Sequence, residues 1–155
     1  GVGVIQFFRT SKFQMDKGQI LAERVKRLRD LALAKDGKSS ELYKNAMRMV
    51  MTYDPAYKYL AVIDGATGIG KVGNQFFQRI PASEELTVAQ TQVFNTWSQD
   101  KRQLFVLRHE VEHMSAANLK LFSLYKYSSS PNTSRYQQAF EIDASTKAFN
   151  WIVSL

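Results

Sequence analysis

A chain of 155 residues without a single cysteine excludes disulfides, thiolate metal ligands and a cysteine nucleophile, and its length suits one domain over 1–155. Apolar residues make up 45% and charged residues 23%, which fits a globular core and excludes a disordered chain. The 21 basic against 14 acidic residues give a formal charge of +7, yet no basic-aromatic motif accompanies the excess, so no nucleic-acid partner is expected.

The opening GVGVIQFF is too short for a signal peptide and has no cationic flank. A start at Gly1 is what a processed or excised piece of a longer chain would show. No apolar run approaches the roughly 18–20 residues that cross a bilayer, so no transmembrane segment is expected.

In FQMDKGQILAERVKRLRDLALAKDG, the apolar residues Ile20, Leu21, Val25, Leu28 and Leu31 recur at helical spacing. Arg24, Lys26, Arg27 and Arg29 around them predict a solvated basic face, and Asp36-Gly37 supplies the stop. A second helix, capped by Ser39 or Ser40, is expected to run through Met47 and Met51 and end near Asp54-Pro55.

The pattern then turns extended. YKYLAVID (Tyr57 to Asp64) and KVGNQFFQRI (Lys71 to Ile80) predict an antiparallel hairpin joined by the glycine-rich GATGIG. Gly65 to Lys71 also fits the G-x-x-x-x-G-K of a phosphate-binding loop. However, Val72 stands where magnesium binding needs Ser or Thr, and another extended run follows where a helix should. A hairpin turn is the expected role. Thr87 with Gln90, Asp100 with Gln103, and Ser134 with Gln137 are spaced as helix capping boxes. The last of these follows the loop SSSPNTS and opens a helix in which Phe140, Ala144, Ala148, Trp151 and Ile152 share a face.

Both histidines of the chain fall in LFVLRHEVEHM, as His109-Glu110-Val111-Glu112-His113. Four residues of helix are about 400° of rotation and roughly 6 Å of rise, so the two imidazoles point the same way. Together they can offer two nitrogens to one zinc ion, while Glu110 at the edge of that face can handle a proton without ligating. A catalytic zinc needs a third protein ligand and an open position. With no cysteine and no further histidine, that ligand is a carboxylate, and Glu141 in FEIDAS is the candidate on a later helix. Asp143 competes but lies about 200° around the helix from Glu141.

HEVEH followed by E-I-D-A resembles the gluzincin branch of zinc metallopeptidases, over roughly Leu104 to Trp151. The likeness is to minimal forms whose second motif reads Glu-x-x-Ala-Asp or Glu-x-x-Ala-Asn. It implies a compact zincin-like α+β domain, mostly helical, with a small antiparallel hairpin or sheet beside the HExxH helix. It also implies zinc held by His109, His113 and Glu141, with Glu110 as general base and then acid in amide hydrolysis. A phenol from Tyr136, Tyr125 or Tyr127 is the candidate for stabilising the oxyanion, with Tyr136 foremost. Lys71 to Ile80 is the candidate edge strand for pairing with a protein or peptide substrate. Two positions depart from the family. Ser145 replaces the motif's acid or amide, and Glu112 replaces its small residue, with a side chain expected to face solvent.

The expected function is a zinc-dependent endopeptidase. Small domains of this kind are carried by bacterial toxins and injected effectors, which implies a secreted or injected location and an inhibitor or immunity protein as a partner. The alternative is a non-catalytic binding or regulatory module that keeps the fold. A plain surface helix with two solvated histidines is the bland reading of the same motif, and a structural zinc would need a fourth protein ligand.

Overall fold

The computed structural model describes residues 15–127 and 130–155, with side chains over 15–126 and 138–155. The opening GVGVIQFF and the side chains of Tyr127, Ser134, Tyr136 and Gln137 lie outside the described residues. Among the described residues, six α-helices pack with a three-stranded mixed sheet.

Helix α1 spans Lys17–Asp36 and starts with a capping box. Asp16 accepts from the Gln19 amide at 2.8 Å, and the Gln19 side chain returns to the Asp16 amide at 3.0 Å. It buries Leu21, Val25 and Leu28 of the stripe predicted from spacing, together with Ala32, while Ile20 and Leu31 are half-buried, and it ends at Gly37 with φ +92°. The basic face is only half solvated. Arg24 reaches Gln103 and Asp100, and Arg29 donates to the carbonyls of Ala46 and Met49, so both tie α1 to its neighbours.

Helix α2 (Glu41–Arg48) is capped by Ser40 and ends well short of Met51. The Met49 backbone turns extended at ψ 132°, and Val50–Tyr53 becomes strand β1. The parallel ladder to a later strand claims these residues, beginning with Val50 N–H to the Gly68 carbonyl at 2.8 Å. An antiparallel hairpin is present, but between β2 (Ala61–Asp64) and β3 (Ile69–Val72): Tyr57 to Leu60 is not strand, Ile69 and Gly70 of the expected connection are, and the sheet order is β1-β3-β2. Strand β3 is therefore central, and the sheet edges are β1 and β2. Of the run 71–80, only Lys71 and Val72 are strand, because Asn74–Phe77 folds into a 3₁₀ turn that buries Phe76 completely. Lys71 to Ile80 is thus not the substrate-pairing edge.

The turn between β2 and β3 explains the glycines. Gly68 sits at φ +76°, where a Cβ is strained. Gly65 abuts helix α4 (Gln99–Glu112), for a Cβ there would lie 2.2 Å from the His113 carbonyl oxygen. The phosphate-loop lookalike is therefore a hairpin turn docked on the end of the histidine helix. Gly65→Ala is expected to cost about 1–3 kcal/mol in chemical denaturation, as an overpacked contact does. Gly18→Ala, whose Cβ would meet only Asp16 Oδ1 at 3.4 Å, should be neutral or slightly stabilising.

Helix α3 (Val88–Phe94) carries the expected Thr87–Gln90 box. Helix α4 is capped by Ser98 instead of Asp100, which lies in the first turn and pairs with Arg24 at 2.9 Å. Arg102, 3% exposed, anchors the start of α4 by donating to the carbonyls of Ile80, Asn95 and Trp97. Of the 14 residues of α4, the ten from Arg102 to Arg108 and from Glu110 to Glu112 are buried, so the helix runs through the core. Helices α5 (Ala116–Tyr127) and α6 (Ser130–Val153) complete the fold. Helix α6 begins four residues before Ser134, which is therefore not its N-cap. Its Phe140, Ala144, Ala148, Trp151 and Ile152 are all buried, as their shared face predicted.

Candidate metal centre

Helix α6 packs alongside α4, and that contact brings Glu141 across from both histidines. His113 Nε2 lies 2.9 Å from Glu141 Oε1, His109 Nε2 lies 3.4 Å from Glu141 Oε2, and the two Nε2 atoms are 3.1 Å apart. All three donors fall within 4.8 Å of one another. Tetrahedral ligands with bonds of about 2.1 Å sit about 3.4 Å from each other, so this donor set matches zinc in chemistry and in spacing.

The neighbours decide which imidazole nitrogens face the centre. Asn118, fully buried at the start of α5, donates its amide to the Phe140 carbonyl at 2.8 Å and to Asp143 Oδ2 at 2.9 Å. Its Oδ1 is thereby turned to His113 Nδ1 at 2.7 Å, where only an N–H can satisfy it. His109 Nδ1 lies 2.9 Å from the Ser145 hydroxyl, also fully buried. With Nδ1 of each ring occupied from behind, both Nε2 atoms turn to Glu141. Asp143 is no ligand here. It bonds Asn118 and pairs with Lys147 at 3.1 Å, supporting His113 from a distance. Ser145 and Asp143 therefore divide the supporting role, one behind each histidine. Asn118 was not picked out from the sequence, since a lone Asn opening a helix carries no signal of the histidine it will meet.

Glu110, 7% exposed, lines a cleft of about 970 Å³ together with His113 and Glu141. One wall is the outer sheet face with Val62, Ile69 and Lys71, and the other carries Leu119, Phe122 and Phe140. Burial raises the Glu110 carboxyl above its ordinary 4.5; His109 and His113 oppose that shift, and the Glu141 charge adds to it. Burial also opposes a charge on His113, but the hydrogen bond to Glu141 and the charges of Glu110 and Glu141 outweigh it and lift this imidazole to about 9. Glu141 is itself held well below the carboxylate range, because the bonds from His109 and His113 overcome its burial.

Glu112 corrects the expectation of a solvent-facing acid. It is 7% exposed and paired with the equally buried Arg108 at 3.4 Å, because α4 has no solvated face at that turn. Among the phenols, the side chains of Tyr127 and Tyr136 lie outside the described residues, and the Tyr125 ring packs on Phe122 and Phe140. Tyr57 was not anticipated. Burial raises its phenol, and the charge of Glu110 adds to that shift. No family model, no curated protein and no solved structure matches this chain, so the centre stands on its own geometry.

Proposed function

We propose that the chain is a zinc-dependent endopeptidase of zincin-like type, hydrolysing peptide bonds of a protein substrate. The observation that carries this reading is the convergence of His109, His113 and Glu141 with a fourth group, Glu110, that faces the same cleft without joining the donor set. Three protein donors among the described residues leave the open position that a catalytic zinc needs. When bound, zinc supplies a Lewis acid that acidifies water to a pKa of about 7 and polarises a carbonyl. Glu110 accepts the proton of the attacking water and returns it to the leaving amine. A dication beside Glu110 favours its charged form against the burial that disfavours it. Asn118 and Ser145 hold the rings, and the apolar side chains Leu119, Phe122 and Phe140 give the cleft a wall against which substrate side chains can desolvate.

Purified protein is expected to retain one zinc per chain and to generate new N-termini in a cell lysate, and His113→Ala should lose both. A wild-type protein that takes up no zinc, or a His113→Ala variant with the same cleavages, would sink the proposal. The pH dependence has a defined sign. The raised His113 keeps its proton in the metal-free protein until about pH 9, and zinc must displace that proton. Apparent zinc affinity should therefore rise about tenfold per pH unit from pH 7 towards 9 and level off above, as measured by chelator competition.

A further inference from the structure

Ser145, which stands where the resembling motif has an acid or amide, carries no charge of its own behind His109, and we infer that a charge is supplied from elsewhere in the chain: Glu85 acts as a positioning residue for His109 through Ser83 and Ser145. This rests on the zinc reading of the site. The Ser145 hydroxyl lies 2.9 Å from His109 Nδ1 and 3.2 Å from the Ser83 hydroxyl, which donates in turn to Glu85 Oε2. An ionised carboxylate only accepts, so the direction of every proton in the row is forced. Ser83 gives its proton to Glu85, Ser145 gives its own to Ser83, and the remaining lone pair on Ser145 faces His109. That lone pair requires N–H at Nδ1, which leaves the Nε2 lone pair for the metal.

The segment carrying Ser83 and Glu85 is anchored at both ends by the buried Ile80 and Leu86. Arg102 donates to the Ile80 carbonyl at 2.7 Å, Gln99 accepts from the Ile80 amide, and Leu86 is buried just beyond. The Glu85 amide donates back to Ser83 Oγ at 3.3 Å, and the Leu86 amide to the Ser83 carbonyl at 3.2 Å, closing a turn that fixes both side chains. The row crosses 62 residues between Ser83 and Ser145 and then 36 to His109.

Glu85→Gln tests charge apart from shape, because an amide can fill the same space but can offer a donor or an acceptor, so the direction is no longer forced. Zinc affinity by chelator competition is expected to fall about tenfold in Glu85→Gln and in Ser83→Ala, with Glu85→Asp recovering part of it. The double variant should lose no more than either single one, as members of one row do. In the metal-free protein, ¹⁵N shifts should show a proton held on His109 Nδ1 in the wild type and its partial loss in Glu85→Gln. Wild-type affinity and unchanged ¹⁵N shifts in both Glu85→Gln and Ser83→Ala, with loss only in Ser145→Ala, would overturn the role of Glu85 and leave the zinc site standing. No zinc uptake by the wild type would overturn both.

Discussion

Glu110→Gln is expected to keep zinc within about threefold of wild-type affinity while lowering proteolysis by about 10²–10⁴-fold, the usual worth of a positioned acid–base group. The variant preserves shape and removes only the ability to take a proton. Its donor set is untouched, because His109, His113 and Glu141 meet without Glu110. The change should not harm the fold either. A carboxyl whose folded value is raised by burial lowers stability as pH climbs past its unfolded value of about 4.5, so a neutral amide there relieves that cost at neutral pH. Metal-free Glu110→Gln should accordingly unfold at or above the wild-type temperature at pH 7. Zinc-loaded protein that cleaves its substrate equally well with glutamine at this position would remove Glu110 from the chemistry.

The largest effect on stability should come two residues further along the same helix. Glu112→Ala strands the Arg108 guanidinium, which is 7% exposed, sits with its centre 5.5 Å from the middle of the Trp151 ring, and already has an Nε without a partner. Burial pulls Arg108 below its ordinary value, and Glu112 is the main group working against that. Removing one member of a buried pair costs about 3–5 kcal/mol, a large part of the 5–15 kcal/mol that holds a typical domain together. At this chain length that is a fall in Tm on the order of 10 °C. Replacing both partners, as in Arg108→Met with Glu112→Leu, should recover most of the loss, since apolar pairs of similar volume substitute well for buried ion pairs. A Glu112→Ala protein within about 1 kcal/mol of wild type would show that water reaches Arg108.

What the sequence revealed and what it concealed divide along one line. His109 and His113 are four apart on one helix, so their common direction follows from helix geometry alone. Elimination left only a carboxylate as the third donor; Glu141 was singled out by its place on a later helix and by the resemblance, with Asp143 set aside by the angle between them on α6. The stripe of α1 and the shared face of α6 were readable for the same reason, because each is a period within a single element. Contacts that depend on distant partners were not. Met47 and Met51 are spaced as on a helix, yet Val50–Tyr53 is claimed by a parallel ladder to β3, which no local pattern announces. Lys71 to Ile80 looked like a continuous strand, but Phe76 gains more by turning into the core than by extending a ladder. Glu112 looked solvated because charged residues usually are, and only the burial of α4 on nearly every side reveals the pairing with Arg108. Asn118, Ser83 and Glu85 are ordinary letters until the fold sets them behind the imidazoles.

The contact of Gly65 with the His113 carbonyl has a mechanical consequence. At that point the turn of the sheet also meets Leu119, so the two walls of the cleft touch beside His113. If the proposed function holds, the spacing of the two walls at His113 is set by this backbone contact and not by whatever occupies the cleft further out.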